Sequence, residues 1–327
     1  MSDLRLPSVL NDLGQAGEAG LPLLETLGFL EELQLCRDWG FKLQNIHDRV
    51  HLIFDSDQLV PAWIQAETPA IAWEALRING YLRLRSTNAA ALELAMKGAP
   101  EGTLILAEDQ TAGRGRKNRA WFSSRSAGLC CTLVLRPKQA QKYWPLLTLA
   151  TSIALVDALT DLVARKIIPV RLDIDIKWPN DVMVSGRKCA GILVETLVND
   201  ALNPAAVVGF GINVRKDNVP GSLISDAVSL DEIAGVKVPR RHLLVKFLYY
   251  FQHCYLAFEQ QKYHELVERW KNYSSMWNGV RVWIGEGERR HEAITCGLNE
   301  IGALLVRRQD GSLETVFAET IRISPEA

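Results

Sequence analysis

Leu244, Phe247, Leu248, Phe251, Tyr255 and Phe258 recur at three- and four-residue steps. That period predicts a long amphipathic helix over Pro239–Tyr273, with proline at its start. A second apolar run, Pro145–Lys166, predicts a buried helix. Runs rich in Val, Ile and Leu predict strands at Thr103–Ala107, Leu129–Leu135, Arg171–Trp178, Asp181–Val184, Ala190–Thr196 and Ala206–Val214. Strands interleaved with helices predict an α/β or α+β domain around a central sheet over residues 81–275. Before it, residues 1–80 are rich in leucine and acid. Leu23, Leu24, Leu27, Leu30 and Leu33 predict a helix with one apolar face, and Lys42–Gln44 and His51–Ile53 predict a hairpin with its tip at Asp48-Arg49. Helices followed by a small hairpin predict a reduced winged-helix-like unit. After it, residues 276–327 predict a small β-barrel. Its short strands are Val280–Ile284, Glu292–Leu298, Ala303–Arg308 and Glu314–Phe317, with turns at Gly285-Glu286-Gly287 and Asp310-Gly311-Ser312.

Composition adds limits. The 327 residues allow two or three domains, and 48% hydrophobic with 23% charged residues excludes a disordered or fibrous chain. Six cysteines without a C-x-x-C pair or histidines at zinc-finger spacing predict free thiols in a reducing cytoplasm rather than a zinc site. No secretory signal is visible. The longest charge-free apolar stretch, near Tyr143–Val156, falls short of the about 20 residues a bilayer needs, so no membrane partner is expected.

Three segments concentrate the polar chemistry. Gly113-Arg114-Gly115-Arg116-Lys117-Asn118-Arg119-Ala120-Trp121 follows a strand and the polar Glu108-Asp109-Gln110-Thr111. Its glycines let backbone N–H groups approach an anion, and its cations supply the field. It is neither a Walker loop nor a complete dinucleotide fingerprint, and taken alone it is equally a solvated basic loop. In Lys177-Trp178-Pro179-Asn180-Asp181, alternation places Leu172, Ile174, Ile176 and Trp178 on one face and Asp173, Asp175 and Lys177 on the other. Lys177 would stand at a strand end before a turn, with Asp173 or Asp175 as its ion-pair partner; a plain turn with a surface lysine explains the same residues. In Gly186-Arg187-Lys188-Cys189-Ala190-Gly191-Ile192-Leu193-Val194-Glu195, Ser185-Gly186 predicts a hairpin turn, and Gly191 predicts a bulge or a close approach to a ligand.

These segments, with Ser86-Thr87-Asn88 before them and Gly209-Phe210-Gly211-Ile212-Asn213 after, resemble in order and spacing the biotin protein ligases, also called biotin–[acetyl-CoA-carboxylase] ligases. The resemblance spans residues 81–323. It implies an α+β fold: a central mixed-sheet catalytic domain of the biotin/lipoate ligase type over 81–275, an SH3-like barrel over 276–327, and the reduced winged-helix-like unit over 1–80. It implies that biotin and ATP form biotinyl-5′-AMP, with Mg²⁺ bridging the phosphates. Biotin then passes to a lysine of a biotin carboxyl carrier protein domain of a biotin-dependent carboxylase. By the same resemblance Arg116 and Lys177 are catalytic, holding the biotin carboxylate and the phosphate as charge develops. Ser86, Thr87, Asn88, Gln110, Gly113, Gly115, Arg116, Lys117 and Lys177 bind biotin. Arg114, Trp121, Lys188 and Asn213 bind ATP, with Trp121 covering the adenine side, and no residue is assigned as a metal ligand. A lipoate-type acyl ligase shares the adenylation logic and is the alternative within chemistry.

Two departures from the family pattern stand out. Asn118 occupies a usual glycine position, where a positive φ is tolerated by asparagine. Arg322 lies one position from an arginine that serves the nucleotide in some members, so that role is not carried over.

Some relatives use a winged helix to repress genes as well as ligating biotin, and that bifunctional role is the alternative from another class. Cys36-Arg37-Asp38-Trp39-Gly40 resembles the end of the recognition helix, but the preceding stretch from Phe29 is short and carries Glu31 and Glu32. Residues 1–80 hold five Lys+Arg against twelve Asp+Glu, a net of −7, whereas residues 81–327 hold 32 against 26, a net of +6. The total of −1 therefore hides a split that favours a nucleotide over DNA. Family members also dimerise, which makes a homodimer a further expectation.

Overall fold

Alternation along the strands builds the two faces of the molecule's central layer. The computed structural model describes residues 3–22, 27–197, 204–287, 290–317 and 320–324. Its strands are β1 (Leu4–Arg5), β2 (Leu21–Pro22), β3 (Leu43–Ile46), β4 (Arg49–Leu52), β5 (Arg77–Arg83), β6 (Thr103–Ala107), β7 (Gly128–Leu135), β8 (Ile174–Lys177), β9 (Asp181–Val184), β10 (Arg187–Leu197), β11 (Ala205–Asn213), β12 (Asn278–Ile284), β13 (His291–Leu298), β14 (Leu304–Arg308), β15 (Leu313–Val316) and β16 (Ile321–Ile323). An eight-stranded sheet runs β1-β5-β6-β7-β11-β10-β9-β8. Only β5 and β6 are parallel, joined by the crossover helix Thr87–Met96 that a parallel pair requires. Every residue of β7 and β11 is buried, as expected for strands covered on both faces.

On one face Leu104, Leu106, Leu133, Val208 and Phe210 join the main core with the helices Leu146–Ala164 and Arg240–Glu259. On the other face Ile105, Ala107, Val134, Ala205 and Val207 pack beneath Thr87–Met96 with Ala91 and Ala95. Farther along β11 this second face carries Gly209, Gly211 and Asn213, so the side-chain layer stops there. The helix Leu146–Ala164 is long and apolar enough to cross a bilayer, but most of it is buried inside the fold.

The remaining sheets are β2-β4-β3 near the N-terminus and the antiparallel β15-β14-β13-β12-β16 at the C-terminus. The N-terminal unit has its own small core of Val9, Leu10, Leu13, Leu33, Cys36 and Val50. Glu32 accepts from the Ser8 hydroxyl and the Val9 amide, capping the helix Ser8–Ala16.

Several expectations need correction. The helix read over Pro239–Tyr273 is two helices, Arg240–Glu259 and Tyr263–Tyr273. Gln261 turns to φ +60, and the Lys262 amide closes on Ala257 O at 2.9 Å. The apolar period continues through Leu266, Val267 and Trp270, so periodicity alone does not reveal the break. In the N-terminal unit the helix is Leu30–Asp38 with Leu33 buried and Leu30 58% exposed; Leu23 and Leu24 lie outside the described residues. The hairpin tip is His47-Asp48, with Arg49 already in β4. Arg171–Trp178 contracts to β8. β1, β5 and β16 had no counterpart in the sequence expectations, and β5 runs through residue 80 into the central sheet.

Candidate active site

Where β10 and β11 carry glycines, large side chains from elsewhere lie against the sheet. A Cβ on Gly211 would sit 2.4 Å from the Trp121 indole, and one on Gly209 would sit 1.9 Å from Asn88 Oδ1. A Cβ on Gly191 would meet the Trp121 side chain at 3.1 Å and that of Lys188 at 3.2 Å, so this glycine makes room for the protein's own side chains. The bulge itself falls between Lys188 and Ala190. Above this floor lies a cavity of about 390 Å³.

One wall is the N-terminus of the helix Thr87–Met96. Ser86, Thr87 and Asn88 are buried. The Thr87 amide donates to Gln110 Oε1 at 2.8 Å, and the Thr87 hydroxyl to the same oxygen at 3.1 Å. The fully buried Thr132 hydroxyl lies 2.9 Å from that of Thr87 and 2.7 Å from Asn88 Oδ1. Asn88 Nδ2 donates to Leu193 O and to Glu195 Oε2, and Arg114 lies 3.8 Å from the other Glu195 oxygen. A polar chain thus runs from Gln110 through Thr132 and Asn88 to the glycine-rich loop. Thr132 and Glu195 hold this chain together, and neither was given a role from the sequence. Thr132 is a lone polar residue inside an apolar strand, which is the signal that marks it.

The second wall is the loop. Gly115 N donates to Arg119 O at 2.7 Å and Trp121 N to Gly113 O at 2.9 Å. Asn118 adopts φ +57, as its place in the motif suggested, and Lys117 also adopts a positive φ, +53. Gly113 alone of the sequence-assigned residues does not line the cavity. A Cβ there would meet Trp121 O at 2.7 Å, so close backbone packing explains this glycine. Ser86, Thr87, Asn88, Gln110, Arg114, Gly115, Arg116, Lys117, Trp121, Lys177, Lys188 and Asn213 all line it.

Arg116 and Lys177 meet at one turn. Arg116 Nη1 donates to Asn180 Oδ1 at 3.4 Å, and Asn180 is itself fixed by bonds with the Ile192 backbone. Lys177 ends β8, and the Trp178–Pro179 peptide that follows is cis. The expected Lys177–aspartate pair does not form, because Asp175 accepts instead from the amide and hydroxyl of Ser275. Trp178 also lines the cavity, and its indole N–H donates to Gly302 O, tying this turn to the C-terminal sheet.

Lys188 Nζ lies 2.6 Å from Asp181 and 5.6 Å from the centre of the Trp121 ring. Asn213 accepts from Asn218 at 2.8 Å. Asp181 and Arg322, neither assigned a role from sequence, also line the cavity. The strand β16 brings Arg322 there by pairing with β12, which a linear reading does not show. Burial pushes the Cys130 thiol up, so this cysteine on the site face is a neutral packing group rather than a thiolate nucleophile. Arg114, Arg116, Lys117, Lys177 and Lys188 outnumber the carboxylates facing them, a field suited to an anionic ligand.

The comparisons with known proteins agree with this geometry. Residues 80–213 match the model of the biotin/lipoate A/B protein ligase family. The chain is 30% identical to the bifunctional ligase/repressor BirA of Escherichia coli (strain K12) over 324 residues, 96% of each protein. It is 38% identical over 168 residues to the biotin–[acetyl-CoA-carboxylase] ligase of Mycobacterium tuberculosis, covering 50% of this chain and 58% of that protein. Its fold matches the solved biotin protein ligase from Aquifex aeolicus in complex with biotin and ATP with a TM-score of 0.64 and 26% identity, covering 76% of this chain and 99% of that one.

Proposed function

The chain belongs to the biotin protein ligases of the biotin/lipoate A/B protein ligase family, and from that premise we infer how its own residues carry out ATP-dependent attachment of biotin to protein. The carrying observation is the convergence of Arg116 and Lys177 on one turn, beside a buried wall of amide and hydroxyl groups. Biotin's carboxylate oxygen attacks the α-phosphorus of ATP, and the bond to the bridging oxygen of pyrophosphate breaks. Arg116 and Lys177 balance the charge that accumulates on the reacting oxygens. Ser86, Thr87 and Gln110 hydrogen-bond the ring system of biotin. Asn88 and Thr132 orient them, since an unmatched buried polar group would disfavour any analogue lacking those bonds. In the second step a carrier lysine amine attacks the acyl carbon of biotinyl-5′-AMP, and AMP leaves.

Arg114 and Lys188 line the same cavity and would hold the ATP phosphates. Trp121 rests on the glycine floor, closing the side assigned to adenine. Among the described residues no cluster of three His, Cys, Asp or Glu side chains could hold a metal by itself. That donor set fits Mg²⁺ carried in by nucleotide phosphates, with Asp181 as the nearby carboxylate. When bound, Mg²⁺ supplies charge neutralisation to the phosphates.

The acceptor is a biotin carboxyl carrier protein domain, as the name of the mycobacterial relative implies for that protein. A cytoplasmic setting, a homodimer and unit boundaries near residues 80 and 275 belong to the same proposal. Biotin-dependent exchange of labelled pyrophosphate into ATP, followed by transfer to a carrier domain, tests it. Exchange is expected with biotin and not with lipoate; exchange with lipoate alone would identify the acyl ligase instead.

The same proposal excludes operator binding. The helix Leu30–Asp38 is nine residues long, bears Glu31 and Glu32 in its first turn, and has Arg37 as its one cation. Phosphate neutralisation needs more. Fluorescence anisotropy with promoter DNA, biotin and ATP is expected to show no salt-sensitive, sequence-specific binding below micromolar, and such binding would reinstate the repressor reading.

A further inference from the structure

Leu193 on β10, Gly209 on β11 and Thr132 on β7 stand in register across the central sheet. Gly209 leaves a gap in the middle of this row, and Asn88 fills it, with Oδ1 only 1.9 Å from where a Cβ would be. The Asn88 amide therefore lies between β10 on one side and Thr132 on the other. Its nitrogen is 3.1 Å from Leu193 O and 2.8 Å from Glu195 Oε2. A backbone carbonyl and a carboxylate can only accept, so Nδ2 must face them and Oδ1 must face Thr132.

That orientation sets the direction of each bond that follows. Oδ1 can only accept, so the single proton of the Thr132 hydroxyl goes to it, across 2.7 Å. Thr132 is fully buried, and its oxygen is left as an acceptor 2.9 Å from the Thr87 hydroxyl. The Thr87 proton has two acceptors inside the wall, that oxygen and Gln110 Oε1 at 3.1 Å. Whichever it takes, Thr87 Oγ1 meets the cavity as an acceptor. Gln110 Oε1 also accepts from the Thr87 amide at 2.8 Å, so the Gln110 side chain has its nitrogen, a donor, left for a ligand. One acceptor beside one donor complements a ring N–H beside a ring carbonyl. With the Asn88 amide turned over, the order would reverse: Nδ2 would donate to Thr132, Thr132 to Thr87, and Thr87 to the ligand.

We propose that Glu195 is a positioning residue for ligand specificity, fixing Thr87 as an acceptor through Asn88 and Thr132 so that the pocket selects a cyclic urea N–H. The proposal rests on the ligase reading and deepens it. Neither Glu195 nor Thr132 lines the cavity, so their effect on a ligand passes through Asn88 and Thr87.

Pyrophosphate exchange driven by biotin is to be compared with exchange driven by its two carbamate analogues, each with one ring N–H replaced by oxygen. The proteins are the full chain and its variants Thr132→Val, Thr132→Ser and Glu195→Gln. Wild-type exchange with biotin establishes the ligase reading by itself. The wild type should also prefer biotin over one of the carbamates by about 100-fold or more in kcat/KM, because that analogue sets oxygen against oxygen. Thr132→Val keeps the shape and removes the relay. It should raise KM for biotin by about tenfold and leave KM for ATP within about twofold, while Thr132→Ser keeps the hydroxyl and restores most of the loss. Glutamine at position 195 can meet either end of the Asn88 amide, so Glu195→Gln should narrow the preference for biotin by about tenfold. Glu195 also faces Arg114, and comparing ligands at one ATP concentration cancels any effect through that contact. A wild type that accepts both carbamates as readily as biotin would overturn the proposal. So would an unchanged preference in Glu195→Gln, or equal rises of the two KM values in Thr132→Val. If Thr132→Val does not fold, the preference measured in Glu195→Gln decides.

Discussion

Lys177→Ala is expected to lower biotin-dependent pyrophosphate exchange by about 100-fold, the loss seen when one fixed donor to a charged transition state is removed. Lys177 stands at the end of β8 on the polar face of its strand, and among the described residues no carboxylate pairs with its ammonium. Its charge is therefore available to the reacting oxygens. The change removes a partly exposed side chain from a strand end, so thermal stability should shift little. Arg116→Ala should give a loss of similar size, because Arg116 meets the same Lys177–Asp181 turn through Asn180. An exchange rate within about fivefold of wild type in either variant would place the chemistry elsewhere in the cavity.

Arg240→Met is expected to cost about 3–5 kcal/mol of stability, because it leaves two buried carboxylates without their shared cation. Arg240 is 3% exposed and lies between Asp57 and Glu108. Arg215 and Lys237 also face Asp57, and Arg215 is held in turn by Asp231. Burial by itself would raise the Asp57 carboxyl, but Arg240, Arg215 and Lys237 with the Arg240 amide hold it below the ordinary aspartate range. A carboxyl lowered in the folded state stabilises above its unfolded value of about 3.9, and that contribution is lost as pH falls through the folded value. The gap between wild type and Arg240→Met should therefore be full at pH 7 and narrow below about pH 4. Urea midpoints at both pH values check it; a deficit under about 1 kcal/mol at pH 7 would show that the carboxylates find other partners.

Much of this site was legible in the chain. The glycine-rich loop, the Lys177 turn and the Ser185-Gly186 hairpin are local, and short-range backbone chemistry decides them. Gly186 at φ +74 and Asn118 at φ +57 occupy conformations their residue types favour. Strands such as Thr103–Ala107 and Asp181–Val184 were readable because both their faces are apolar or alternate cleanly. The break at Gln261 was not, because the same apolar period serves one helix or two. β5 and β16 were not, because each is a short mixed run that becomes a strand only by pairing, with β6 and β12 respectively.

The sequence by itself determined which residue types would meet a charged substrate, and in what order along the chain. Tertiary structure alone decided their partners. Asn88 reaches Glu195 across 107 positions, and Arg119 reaches Glu286 across 167, while Lys117 meets Thr320 from the other end of the molecule. It also decided that Gly209 and Gly211 make a floor for Asn88 and Trp121, and that Glu32 caps a helix while Asp57 pairs with Arg240 and Trp39 packs under Arg125. The physical reason is that a backbone preference acts over a few residues, whereas a buried charge or a missing Cβ acquires meaning only from the side chain that the packed fold sets against it.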